Sequence, residues 1–131
     1  MSAPSLQSFQ EQVSELLLRH RSLLDVLSKM GQTNAAAVRS VTKSVTECGC
    51  IELHATRQDF EPGLDLQQAK ETIAKHVQGE LCENCRDAIA GELGRNLFYM
   101  SALCNLLDID MQEIMEQESQ KCATLGLFNL S

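Results

Sequence analysis

Cys48-Gly49-Cys50 and Cys82-Glu83-Asn84-Cys85 set four thiols in two short pairs. Thiolate sulfur is a preferred donor for zinc and other thiophilic metals, and a tetrahedral site takes four such ligands. The C-x-x-C pair has ordinary ligand spacing. At the start of a helix its two sulfurs share one face, and the positive helix end favours their ionised form. The C-x-C pair is harder to use, because residues two apart on a regular helix point about 200° apart. Two arrangements resolve this. Either the helix unwinds near Gly49 so that Cys48 and Cys50 converge, or Cys50 alone faces the ion and His54, four residues on, takes the place of Cys48. In the second case Cys48 shares a face with Val41 and Val45 and belongs to the core. Burial as small hydrophobes and pairing under oxidation are the other uses open to these thiols. Cys104 and Cys122 fall on apolar helix faces and are expected in the core. His20 and His76 have no partner at ligand spacing and are expected at the surface or packed.

The elements that must position these groups are helical. The chain of 131 residues is 44% hydrophobic and has only two prolines and seven glycines. Strong helix formers outnumber strand formers, so one all-α domain over residues 1–131 is expected. A net charge of −7 with no basic cluster disfavours nucleic-acid binding. No stretch approaches the roughly 20 apolar residues of a membrane span, and MSAPSLQSFQ lacks the features of a secretory signal. A cytoplasmic protein that meets no membrane is the expectation, and in a reducing compartment its six cysteines are not a disulfide framework.

Ser8 to Glu11 has capping-box form, and Phe9, Val13, Leu16, Leu17, Leu24 and Leu27 predict a first helix over 6–30, ending at Gly31. Thr33 or Asn34 then caps a second, whose stripe of Val38, Val41, Val45 and Cys48 carries it toward Ala55. After the break at Phe60 to Gly63, Asp65 with Gln68 starts a short helix ending near Gly79. From Leu81 a long helix holds Ile89, Leu93, Leu97, Met100, Leu103 and Leu107 on one stripe as the spine of the core. Asp108-Ile109-Asp110 interrupts it, and a last helix runs from Asp110 to about Ala123, followed by an apolar tail, LGLFNLS. Short connections between these elements predict a bundle of four main helices and one short one.

The stretch GELGRNLFYMSALCNLLDIDMQEIMEQ, residues 91 to 117, resembles the MazG-like family of all-α nucleoside triphosphate pyrophosphohydrolases. There a Glu-Leu-Gly-Asp element opens a long apolar helix that leads through a leucine-rich connection into the next. KSVTECGCI, residues 43 to 51, is similar to the family's other signature helix. The resemblance implies a MazG-like bundle over about residues 35–120 and a magnesium site built from an E-x-x-E pair facing an E-x-x-D pair. Here those pairs read Glu47-x-x-Cys50 and Glu92-x-x-Arg95. Both first acids are kept. Both second acids are lost, one to a soft thiol with little affinity for magnesium and one to a fixed positive charge. Family-like antiparallel packing of Glu47 against Glu92 would also bring Cys50 to His54 beside Cys82 to Cys85.

Three functions follow as expectations. One is a non-catalytic MazG-like module, stapled by zinc on Cys48, Cys50, Cys82 and Cys85 (or His54 for Cys48), that pairs with itself or binds a protein partner and senses metal or redox state. Another is a magnesium enzyme in which Glu47 and Glu92, rescued by Glu83, Asp87 or Glu52, hydrolyse a nucleotide to its monophosphate and pyrophosphate. The third is a plain helical scaffold whose cysteines only pack. A homodimer is expected under all three.

Overall fold

The computed structural model describes residues 3–17, 22–58, 62–72 and 76–125. Five α-helices dominate: α1, Leu6–Leu16; α2, Leu23–Lys43; α3, Leu66–Thr72; α4, Glu83–Leu106; and α5, Met111–Leu125. Two three-residue strands, β1 (Ile51–Leu53) and β2 (Val77–Gly79), form the one sheet among the described residues, and the fold is all-α. No described helix is long and apolar enough to cross a membrane. The chain forms two compact units, Met1–Val38 with Ala90–Ser131, and Arg39–Ile89.

The first unit is organised by a small apolar core. Val13 and Leu17 at the end of α1, Val26 on α2 and Ala102 on α4 are buried together, with Phe9, Phe98, Leu103 and Leu106 packed around them. Full burial of a valine contributes roughly 1.5–3 kcal/mol, so Val13 and Val26 anchor this cluster. Polar clasps fix the helices beside it. Gln10 donates to the Ile109 carbonyl at 2.7 Å and accepts from the Met111 N–H at 2.9 Å. The Asn96 amide donates to the Met30 carbonyl (3.2 Å) and to Thr33 Oγ1 (3.0 Å).

The expected boundaries shift in several places. The first helix does not run from 6 to 30: it stops at Leu16, where Leu17 leaves helical geometry while its N–H still reaches the Val13 carbonyl. Its cap is Ser5 rather than Ser8, the two serines forming the reciprocal box. Gly31 ends nothing, since α2 passes through it, and Thr33 lies inside the helix rather than at its cap, bonded to the Met30 carbonyl. A glycine inside a helix costs only about 1 kcal/mol, which tertiary contacts on the same helix offset. A Cβ at Gly31 would meet nothing within 4 Å, so Gly31→Ala is expected to raise stability by about 0.5–1 kcal/mol, read as an upward shift of the thermal midpoint.

The second helix does not reach Ala55, because residues 51–53 pair as a strand, and the third does not reach Gly79, because 77–79 pair with them. The helices from Glu83 and Met111 match their expected spans to within a few residues, and Asp65 and Gln68 exchange the expected capping bonds at 2.8 and 3.1 Å. α4 ends at Leu106, and Asp108 just beyond it takes a positive φ of 55° while the Ile109 N–H reaches back to the Cys104 carbonyl at 2.9 Å. None of the expected spine of α4 is fully buried, and only Ile89 and Leu103 of it are half-buried. Ser101, Ala102 and Cys104 are buried, whereas Leu93, Leu97, Met100 and Leu107 are exposed, as are Val38 and Val41 on α2. Cys104 is in the core as expected, but Cys122 is exposed, because the turns of α5 around it meet solvent. His20, Phe60 and residues 126–131 of the tail lie outside the described residues.

Candidate metal centre

The thiols lie in Arg39–Ile89, and each pair is placed by a local departure from helix. After Lys43 the helix widens into a π-helical turn over Ser44–Cys48, and Gly49 closes it with φ 78°, its N–H bonded to the Ser44 carbonyl at 2.9 Å. A positive φ is costly for any residue with a Cβ, which is the reason for glycine between the two cysteines. Reversal at Gly49 folds Cys50 back, so that its sulfur approaches the Ser44 carbonyl at 3.8 Å and lies near Cys48 rather than opposite it. At the other pair Cys82 occupies the cap position of α4. The Cys85 N–H donates to its sulfur at 3.4 Å, a role an Asp or Ser oxygen commonly fills.

The small sheet joins the pairs. β1 begins directly after Cys50, β2 ends three residues before Cys82, and the antiparallel register Ile51↔Gly79, Glu52↔Gln78, Leu53↔Val77 sets both thiol pairs at one end. The ladder continues with the His54 N–H on the His76 carbonyl at 2.9 Å. Gly79 (φ 88°) lies so close to Cys50 that a Cβ there would sit 2.5 Å from the Cys50 carbonyl oxygen.

As a result the sulfurs of Cys48, Cys50, Cys82 and Cys85 all lie within 4.8 Å of one another, with Cys48 and Cys82 at 3.8 Å. Zinc–sulfur bonds of 2.3 Å in a tetrahedron require sulfur separations of about 3.8 Å, so the cluster has the dimensions to hold a metal ion with little movement. His54 is not part of it. Its Nε2 lies 3.3 Å from Glu52 Oε2 at the surface, and Cys48, rather than retreating to the core, is exposed beside Cys82. His76, half-buried at φ 63°, has its Nε2 3.1 Å from the Gln58 amide. An open cleft of about 320 Å³ borders the thiols, lined by Ser40, Lys43, Glu47, Cys48, Asn84 and Cys85 among others.

Electrostatics within the cluster are uneven. The Cys85 N–H holds the Cys82 thiol down to about 7, aided by the Cys85 side chain. Cys85 itself, although the Ser44 hydroxyl favours its ionised form, is pushed up to about 12 by the Cys82 sulfur, by burial and by the remaining two thiols. Cys82 thus ionises at the expense of Cys85. Metal binding must displace the protons still held, so its affinity falls as pH drops. Above about 7 Cys82 has already lost its proton. The expected result is that the number of protons released per metal rises by about one as pH falls through that value, measured by titration calorimetry in buffers of different ionisation enthalpy.

The acids singled out in the sequence are placed differently. Glu47 is exposed on the rim of the thiol cleft. Glu92, in the other unit, has Oε1 3.3 Å from the Arg95 guanidinium, the one-turn pair its spacing allows, while Oε2 is buried and has no hydrogen-bond partner among the described residues. With Arg95 largely exposed, such a pair contributes roughly 0–1 kcal/mol. Glu52, Glu83 and Asp87 are exposed, and none joins the thiol group.

Comparison with known proteins adds no identity. No family model matches the chain, and neither does any curated protein or solved structure. Neither strand has a counterpart in the sequence pattern, and Gly79, expected at the end of the third helix, instead closes β2 three residues before the C-x-x-C pair.

Proposed function

We propose that this chain is a non-catalytic helical module stapled by zinc, with Cys48, Cys50, Cys82 and Cys85 as the four ligands and a regulatory or protein-binding role. The observation that supports it is the mutual approach of four sulfurs from two segments to within 4.8 Å. A closed set of four thiolates suits a structural ion, because a catalytic zinc keeps an open position for water or substrate. Descent from a MazG-like hydrolase belongs to the same proposal. In it Glu47 and Glu92 are remnants of a magnesium site. The pairing of Glu92 with Arg95 and the arrival of sulfur at position 50 speak for loss of that site rather than its use. Self-association is supported by Leu93, Leu97 and Met100, which leave one side of α4 apolar and exposed.

Protein purified without added metal is expected to carry about one zinc per chain by elemental analysis, as a four-thiolate site requires. It should leave a panel of nucleoside triphosphates intact in magnesium and sediment as a dimer. Metal-free protein would remove the staple from the proposal. Pyrophosphate release abolished by Glu92→Gln would replace it with the hydrolase, and a melting temperature indifferent to chelation would favour the plain scaffold.

A further inference from the structure

We propose that Cys48 and Cys82 are an oxidisable pair, which a peroxide converts to a disulfide with expulsion of the metal. This rests on the stapled-module reading and adds its regulation.

Three observations single out these two of the four sulfurs. They are within contact at 3.8 Å, so closing to the roughly 2.05 Å of a disulfide needs only a small swing of the side chains. Cys48 is exposed and lines the cleft shared with Lys43 and Asn84, whereas Cys50 is half-buried with its sulfur against the Ser44 carbonyl. A small oxidant therefore reaches Cys48 first. Cys48 and Cys82 also come from the two different segments, 34 positions apart, so their disulfide keeps those segments joined after the ion has gone. A bridge within either C-x-C or C-x-x-C pair would not.

The chemistry balances with one peroxide. The Cys48 sulfur attacks a peroxide oxygen, the O–O bond breaks, and hydroxide leaves with a proton from solvent as water, giving a sulfenic acid. The Cys82 sulfur then attacks the Cys48 sulfur. The S–S bond forms, the S–O bond breaks, and the departing hydroxide takes a second proton as a second water. Two thiolates have lost two electrons and the peroxide has gained them. The metal is left with Cys50 and Cys85, too few ligands to hold it, and a dithiol reductant reverses the change.

The test uses the full chain with its zinc content measured beforehand. Hydrogen peroxide is added in steps while a chromogenic chelator reports free zinc, and disulfides are mapped by non-reducing digestion and mass spectrometry. The expected result is loss of about one zinc for each Cys48–Cys82 disulfide formed, with recovery in dithiothreitol. A first disulfide joining any other pair, or zinc retained at a dose that already oxidises the exposed Cys122, would overturn the proposal. Should the protein carry no zinc at the outset, the metal reading fails by itself. Mapping on the metal-free chain then still decides whether Cys48 and Cys82 are the pair that bridges first.

Discussion

Removing the metal, by a chelator or by Cys85→Ser, is expected to melt Arg39–Ile89 while the helices around Val13, Val26 and Ala102 stay packed. The reason lies in what each unit buries. Among the described residues of Arg39–Ile89 only Ser44 and Ile51 are buried, so this segment has almost no apolar core of its own. Its sheet is three residues by three, too small to be stable without support. A structural zinc site supplies an apparent 10–16 kcal/mol in small peptides, roughly the whole stability of an ordinary domain, and segments with so little core depend on it. The other unit has its own cluster of buried side chains and its clasps through Gln10 and Asn96. Hydrogen exchange read by mass spectrometry checks this directly. Amides of 44–53 and 77–89 should lose protection on chelation, while those of 6–16 and 98–106 keep theirs. Cys122→Ser, exposed and outside the cluster, should change neither. Unaltered protection across both segments after complete metal removal would mean that hydrophobic packing alone holds the unit.

The second large effect is expected from Gly79→Ala, which adds one carbon and removes no ligand. That carbon would stand 2.5 Å from the Cys50 carbonyl oxygen, a backbone atom that cannot yield without moving Cys50 itself. Displacing Cys50 also pulls its sulfur from its place beside the Ser44 carbonyl and opens the gap to the other three. The positive φ adds about 1–2 kcal/mol of conformational strain for any residue with a Cβ. Gly63→Ala separates the two causes, because Gly63 has the same φ of 88° but nothing within 4 Å of a Cβ. Gly63→Ala should lower the melting temperature modestly and keep its zinc. Gly79→Ala should lose both zinc and the protection of residues 51–53. Equal behaviour of the two variants would show that the approach of Gly79 to Cys50 is not what holds the thiols together.

Much of the helical part of this protein was legible in its residues because helix bonds are local. Asp65 with Gln68 forms the capping exchange that its spacing suggests, and α4 and α5 begin and end close to where Cys82, Asp108 and Asp110 place them. Exposure was less legible. Leu93, Leu97 and Met100 fall on a regular stripe, yet they face solvent, because which side of a helix is covered depends on its neighbours rather than on its own pattern. The same holds for Cys122, apolar by spacing and exposed in fact.

Residue order by itself determined the donor chemistry: four soft sulfurs in two pairs on a chain of strong helix formers. Only the tertiary structure decided that the four sulfurs meet. Neither Ile51–Leu53 nor Val77–Gly79 has a strand pattern long enough to read, and each is a strand because the other is beside it. Hydrogen bonds between strands join residues remote in sequence, whereas those of a helix close within one turn, so the pairing that gathers the thiols left no local trace.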